Sequence, residues 1–275
     1  MVADIRLKKS GKGSVKRQTI LLKLSGETLL ARDKSAGKEN GVSTGAIDFN
    51  SLKYVIGEIK SASGCGCSLG VVVGGGNIWR GGRQDFIDRA AADYAGMCAT
   101  LINAIVLKEA LISEGIPAIA VAPPALRIPN LDDDAPSYTR RFLAAGEEES
   151  PVMQKESRGG GGRVVIFAGG TGKPFFTTDT AAALRALEIK ADLLIKATQV
   201  DGIYDSDPLK NPRAVKFDKL TYDEAIRRKL AIMDQAAFDL CREGKIPIVV
   251  YNFYTRNGLR DIISGKKTGT LVSLE

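Results

Sequence analysis

Histidine is missing from this 275-residue chain altogether. That absence rules out, or nearly so, a Ser-His-Asp triad, a histidine general base and a histidine-ligated zinc site. Cysteine is scarce as well. Cys65, Cys67, Cys98 and Cys241 form no C-x-x-C frame, and Cys98 and Cys241 read as small core residues rather than reactive thiols. No apolar run is expected to reach the length of a membrane span, and the first residues lack the apolar core of a secretory signal. These absences predict a soluble protein with no membrane partner. Its expected location is the cytoplasm, or an organellar stroma once a transit peptide has been removed. Two nucleotide motifs are also missing. A Walker A loop around Gly172-Lys173 would need glycine and Ser or Thr where Phe167 and Pro174 stand, and no G-x-G-x-x-G follows a strand.

What is present is a core-forming chain, 44% hydrophobic, with a formal net charge of +7. A basic balance suits anionic ligands. Part of the excess, however, sits in a tail holding Arg6, Lys8, Lys9, Lys12, Lys16 and Arg17. Residues 1–18 are read as a flexible, solvated tail and nucleic acid is not expected as a partner. Residues 19–275 are read as a single domain with a long excursion at 123–162, where prolines, Asp132-Asp133-Asp134, Glu147-Glu148-Glu149 and a glycine run replace any periodic pattern.

The most informative stretch is Val164 to Thr180, VVIFAGGTGKPFFTTDT. Its β-branched and aromatic start predicts a buried strand. Gly169, Gly170 and Gly172 then allow positive φ and converging amide groups, and Thr177, Thr178 and Asp179 supply caps for a helix through Leu187. Glycine-bearing strand tips recur. Thr19 to Leu24 runs into Ser25-Gly26, with Lys23 at the strand's carboxyl end, where ligands bind in open parallel sheets. Ser68 to Val73 runs into Gly74-Gly75-Gly76-Asn77, with Arg80 positioned to fork onto phosphate oxygens or to face solvent. Leu193 to Ala197 leads into an Asp201-Gly202 turn. There Tyr204 is placed to stack on a base or to pack in the turn, and Asp207 to accept from a ribose. Helices are predicted over 49–61, 90–113, 138–145, 223–228, 233–243 and 258–264, and further strands over 117–122, 247–252 and 270–273. Asp93, near a helix start, either caps that helix or accepts from ligand hydroxyls. The acidic triplet at 132–134 reads as a solvated turn rather than a metal site.

Taken together, Lys23-Leu24-Ser25-Gly26, Gly74-Gly75-Gly76-Asn77-Ile78-Trp79-Arg80, the Thr171 to Asp179 loop and Ala197-Thr198-Gln199-Val200-Asp201-Gly202 closely resemble the bacterial-type uridylate kinases, the UMP kinase branch of the amino-acid kinase superfamily. The resemblance covers nearly everything from Thr19 to Ser273, in order. It implies an α/β fold, a three-layer α/β/α sandwich around a mostly parallel sheet, and transfer of the ATP γ-phosphoryl group to UMP, giving UDP. It also implies Mg2+ held mainly by nucleotide phosphates rather than by a protein cage, a homohexamer, and GTP or UTP as effectors. By the same resemblance Lys23, Arg80 and Asp179 are catalytic. Lys23, Leu24, Ser25, Gly26, Gly76, Arg80, Thr198, Tyr204 and Asp207 bind ATP. Gly75, Asp93, Thr171, Gly172, Lys173, Pro174, Phe175, Phe176, Thr177 and Thr178 bind UMP. Two features depart from the family. Tyr94-Ala95-Gly96-Met97 stands where His-Met-Gly-Met is usual, and the excursion at 123–162 is longer. Two other readings remain open on sequence: a superfamily kinase for a carboxylate or carbamate, and a nucleotide-binding regulator, storage shell or RNA-binding protein without catalysis.

Overall fold

The computed structural model describes residues 17–31, 46–80, 86–123, 132–133, 136–144, 162–208 and 210–275. The basic tail up to Lys16, most of the Ala31 to Gly45 loop, Asp134 and Glu147 to Glu149 lie outside the described residues.

Side-chain alternation along the strands sets the layers. In β1 (Thr19–Leu24), Ile20, Leu22 and Leu24 pack on one face of the sheet and Leu21 on the other. The first face is covered by α1 (Phe49–Ser63), α2 (Arg89–Ser113) and, near the end of the chain, α7 (Gly258–Ile263). The second face is covered by α3 (Pro136–Ala144), α4 (Thr178–Glu188), α5 (Tyr222–Arg227) and α6 (Gln235–Glu243). Between them lie β2 (Ser68–Val73), β3 (Ala118–Ala122), β4 (Asp132–Asp133), β5 (Val164–Phe167), β6 (Leu193–Thr198), β9 (Lys219–Thr221), β10 (Ile248–Asn252) and β11 (Thr270–Ser273), which with β1 form a nine-stranded sheet among the described residues. Its order is β4-β3-β5-β2-β1-β6-β10-β11-β9, and only the β10–β11 pair is antiparallel. A separate ribbon pairs β7 (Ile203–Tyr204) with β8 (Lys216–Phe217). This is the expected three-layer α/β/α sandwich, with β1 at its centre.

The strands and helices fall within a residue or two of their predicted places, since buried β-branched runs and amphipathic spacing are local signals. The short β4, β9 and the β7–β8 ribbon carry no such signal, being two or three residues long. Two expectations need correction. Helix α2 is, by length and composition, apolar enough to cross a membrane; in the fold, Leu101, Ala104, Leu107 and Leu111 are buried against the sheet. Cys98 is not a core residue. It is exposed on the outer side of α2, as are Tyr94 and Ile102. Cys67 and Cys241 are buried, and burial pushes both thiols up to about 12, so neither is a reactive thiolate at neutral pH.

Candidate active site

In β1, Lys23 follows the parity of Leu21 and points toward the face carrying α4. In β6, Lys196 follows Leu194 to the same face. Register pairs Lys23 directly with Lys196. Two lysines thus stand side by side at the carboxyl ends of adjacent parallel strands, a repulsive arrangement unless an anion joins them. Asp179, in the first turn of α4, is that anion. Its Oδ2 accepts from Lys196 Nζ at 2.6 Å, and its Oδ1 lies 3.0 Å from Lys23 Nζ without an aligned hydrogen bond. All three side chains are about 15% exposed, at 14%, 14% and 15%.

Burial opposes the charge on Asp179, but the neighbouring ammonium groups of Lys23 and Lys196 outweigh it and hold its pKa below the ordinary 3.8. Lys196 also moves down from 10.5. Burial is the larger cause, which Asp179 counters without cancelling, and Lys23 adds to the lowering. One carboxylate cannot fully stabilise two ammonium groups. Sequence reasoning does not single out Lys196. Its signal is a lysine in an otherwise apolar strand, Leu193-Leu194-Ile195-Lys196-Ala197, at a distance from the strand end close to that of Lys23.

Two cavities flank this triad. The first, about 260 Å³, is lined by Gly75, Gly76, Asp93, Thr171, Phe176 and Thr178 among others. The second, about 460 Å³, is lined by Lys196, Thr198, Tyr204, Asp207 and the segment 228–232 among others. The triad spans the gap, because Lys196 lines the second cavity while Thr178, the neighbour of Asp179, lines the first. The strand tips also meet: Gly74 N donates to Leu24 O at 3.0 Å. Gly75, Gly76 and Thr171 line the first cavity together, whereas Lys23 lines neither cavity and adjoins them through its ion pair with Asp179.

Around the first cavity, the loop after β5 takes the expected turn, with φ of 72°, 58° and 74° at Gly169, Gly170 and Gly172. Thr100 Oγ1 on α2 accepts from Gly169 N at 2.7 Å, and Arg185 Nη2 donates to Gly170 O at 3.3 Å, so the loop is tied to both layers. Thr177 caps α4, accepting from Asp179 N and Thr180 N. Asp93 does not cap α2; Asp88 does, accepting from Ala90 N and Ala91 N. Asp93 instead accepts from Arg89 Nε at 3.1 Å and from Phe175 N at 2.8 Å, which draws the loop over the cavity. Lys173 and Phe175 are exposed on that loop, and Thr171 closes it locally, accepting from Lys173 N at 3.2 Å.

Several expected nucleotide-facing groups have other partners. The Leu24 side chain is fully buried in the core, and its carbonyl accepts from Gly74. Ser25 caps the short 3-10 turn Gly26–Leu29, accepting from Glu27 N. Arg80 lies beside Gly76, donating from Nε to Gly76 O at 2.9 Å, and its Nη2 pairs with Glu27. Thr198 donates to Val200 O at 2.7 Å and Tyr204 donates to Asp201 Oδ1 at 2.5 Å, which shapes the wall of the second cavity.

Gly75 and Gly76, expected to act alike, differ physically. A Cβ on Gly75 would stand 2.7 Å from Gly96 O and 2.8 Å from Ala99 Cβ, against α2, whereas one on Gly76 would meet nothing within 4 Å. Gly75→Ala is thus expected to cost about 1–3 kcal/mol in urea unfolding, and Gly76→Ala less than about 0.5 kcal/mol. Equal losses would remove the packing role assigned to Gly75.

Comparison with known proteins bears on this geometry. A family model described as the amino acid kinase family matches residues 18–252. The uridylate kinases of Brucella anthropi and Brucella abortus are each 43% identical to this chain over 266 residues, covering 96% of it and 99% of the relative. Among solved structures, UMP kinase from Bacillus anthracis superposes with a TM-score of 0.80 at 29% identity, covering 94% of this chain and 96% of that one. UMP kinase from Ureaplasma parvum gives 0.78 at 32% identity, covering 94% and 100%.

Proposed function

This chain belongs to the amino acid kinase family, and from that premise, with its likeness to uridylate kinases over almost its whole length, we propose that it transfers the γ-phosphoryl group of ATP to UMP, giving UDP and ADP. The observation that carries the reading is the Lys23–Asp179–Lys196 triad at adjacent strand tips, set between two cavities. The first cavity takes UMP and the second takes the adenosine of ATP.

The reaction forms a bond from a UMP phosphate oxygen to the γ-phosphorus and breaks the bond to the ADP oxygen. A phosphate monoester has a second pKa of about 6, so the attacking oxygen is already unprotonated at neutral pH. No general base is needed, which accounts for a chain without histidine. What remains is to cancel charge on the transferring oxygens and to align donor with acceptor. Lys23 and Lys196 supply fixed positive charge, and Asp179 orients both. Gly75 and Gly76 bring backbone close to the phosphates, and Arg80, turning from Glu27, neutralises charge between them. Asp93 and the loop from Thr171 to Thr178 hold the acceptor, Asp93 taking the ribose. Ser25 and Gly26 approach the ATP phosphates, while Thr198, Tyr204 and Asp207 shape the adenosine site.

ATP enters such a reaction with a divalent cation, which we read as Mg2+. Among the described residues no three His, Cys, Asp or Glu side chains are grouped to hold a metal, and the Asp179 carboxylate faces two ammonium groups. This donor set fits a cation carried by the nucleotide's own phosphates. When bound, it draws charge off the phosphoryl oxygens.

The same reading makes the protein cytoplasmic and a homohexamer open to GTP or UTP as effectors. The exposed Tyr94, Cys98 and Ile102 stripe on α2 supports self-assembly. Residues 19–275 are taken as one kinase domain.

A coupled assay of ADP release tests the acceptor. Release stimulated by UMP, weakly by CMP and not by glutamate is the expected result. Stimulation by glutamate alone would establish the carboxylate-kinase reading, and equal release with no acceptor would mean that the chain does not transfer to UMP.

A further inference from the structure

We propose that Asp234 is a positioning residue that couples the two cavities, so that a nucleotide in the second tightens binding in the first. The inference rests on the assignment of those cavities to ATP and UMP.

Asp234 stands between the two sites without lining either. Its Oδ2 accepts from Thr177, the residue that caps α4 and lines the first cavity. Thr180 Oγ1, one turn along α4, donates to both oxygens at 2.9 and 3.0 Å. Oδ1 also accepts from Ala237 N at 3.0 Å and so caps α6. One carboxylate therefore pins the start of α4 to the start of α6.

The chain just before it, 228–232, walls the second cavity. Within that wall Ile232 O accepts from Lys196 Nζ at 2.6 Å. A nucleotide seated there orders residues 228–232 and Lys196, and two residues on Asp234 is held in the position that receives Thr177. Thr177 then presents its loop to the acceptor with less ordering left to do. Binding that has already restricted a shared element lowers the cost of the second binding step.

Two substitutions cut this link from opposite sides while sparing the helix caps. In Asp234→Asn, Oδ1 still accepts from Thr180 and Ala237 N, but the amide nitrogen cannot accept the Thr177 proton. Nor can it donate well in return, since Thr177 Oγ1 already accepts from Asp179 N and Thr180 N at 3.0 and 3.2 Å. In Thr180→Val, the hydroxyl that donates to both Asp234 oxygens is lost from a position that lines neither cavity, while the backbone N there still donates to Thr177 Oγ1.

The measurement is calorimetric titration of UMP into the full chain, alone and saturated with a non-hydrolysable ATP analogue and Mg2+. In the unaltered protein the analogue is expected to tighten UMP by about fivefold or more. In both variants that ratio is expected to fall to within about twofold of unity, with each ligand still binding alone. A merely structural role would weaken both ligands and leave the ratio unchanged, which overturns the proposal. A ratio of one in the unaltered protein overturns it too. No UMP binding at all to the unaltered protein would overturn the acceptor assignment beneath it, a different failure from lost coupling.

Discussion

Replacing Asp179 by asparagine is expected to lower turnover by about 100-fold or more while UMP affinity changes by less than about threefold. The carboxylate itself does not line the first cavity, proposed above for the acceptor; Thr177 and Thr178 do. Its work is to hold the ammonium groups of Lys23 and Lys196 at 3.0 and 2.6 Å. Asparagine nearly preserves the shape and removes the charge, leaving two cations in register with nothing between them. At least one must turn away or lose its proton, and either outcome withdraws positive charge from the place where negative charge builds up on the transferring group. Steady-state kinetics at saturating ATP, with a direct UMP titration, separates the two quantities. Unchanged turnover would take Asp179 out of the catalytic set, and a matching loss of binding would make its role structural.

The same variant reports on stability. Because the pKa of Asp179 in the folded protein lies below its ordinary 3.8, the stability it contributes is complete above that value. It is lost as pH falls through the lower, folded-state value. An asparagine at this position carries no such dependence, so the variant is expected to lose less stability than the unaltered protein when acidified through that window.

Lys196→Gln is expected to reduce kcat/KM by about 100-fold or more. In the unaltered protein, Lys196 is charged below its folded-state pKa and neutral above it. That value lies under 10.5 because burial outweighs the pull of Asp179. The activity Lys196 supports is accordingly lost as pH rises through a range in which an exposed lysine would still be protonated. Stability moves the other way. Between the two pKa values the unfolded chain binds more protons than the folded one, so this residue makes folding more favourable as pH rises. A rate that falls while the urea midpoint holds or climbs is the signature. If the alkaline fall survives unchanged in Lys196→Gln, another group carries it.

How much of this is legible in the sequence differs from residue to residue. Lys23 and the four glycine-bearing tips can be read directly, because a strand's carboxyl end and its turn chemistry are written in a few adjacent residues. The pairing of Thr177 with α4 as its cap is legible for the same reason. Lys196 is not, although its strand is. Nothing local says that β6 lies beside β1 rather than β2, and only that adjacency turns a strand lysine into half of a charged pair. Asp234 escapes a sequence reading because its partners, Thr177 and Thr180, sit at the start of another helix. Gly75 reads as facing a ligand, yet its closest constraint is the backbone of α2. Cys98 reads as core, yet it lies on the outer side of the same helix.

The sequence by itself determined the layers, the family and the strand ends that bear the chemistry, since side-chain parity, helical spacing and glycine turns act over a few residues. The tertiary structure alone decided which strand ends become neighbours, which carboxylate stands between the lysines and which glycine is spent on packing. Those are contacts between segments far apart in the chain, and their energies exist only once the sheet order has been set.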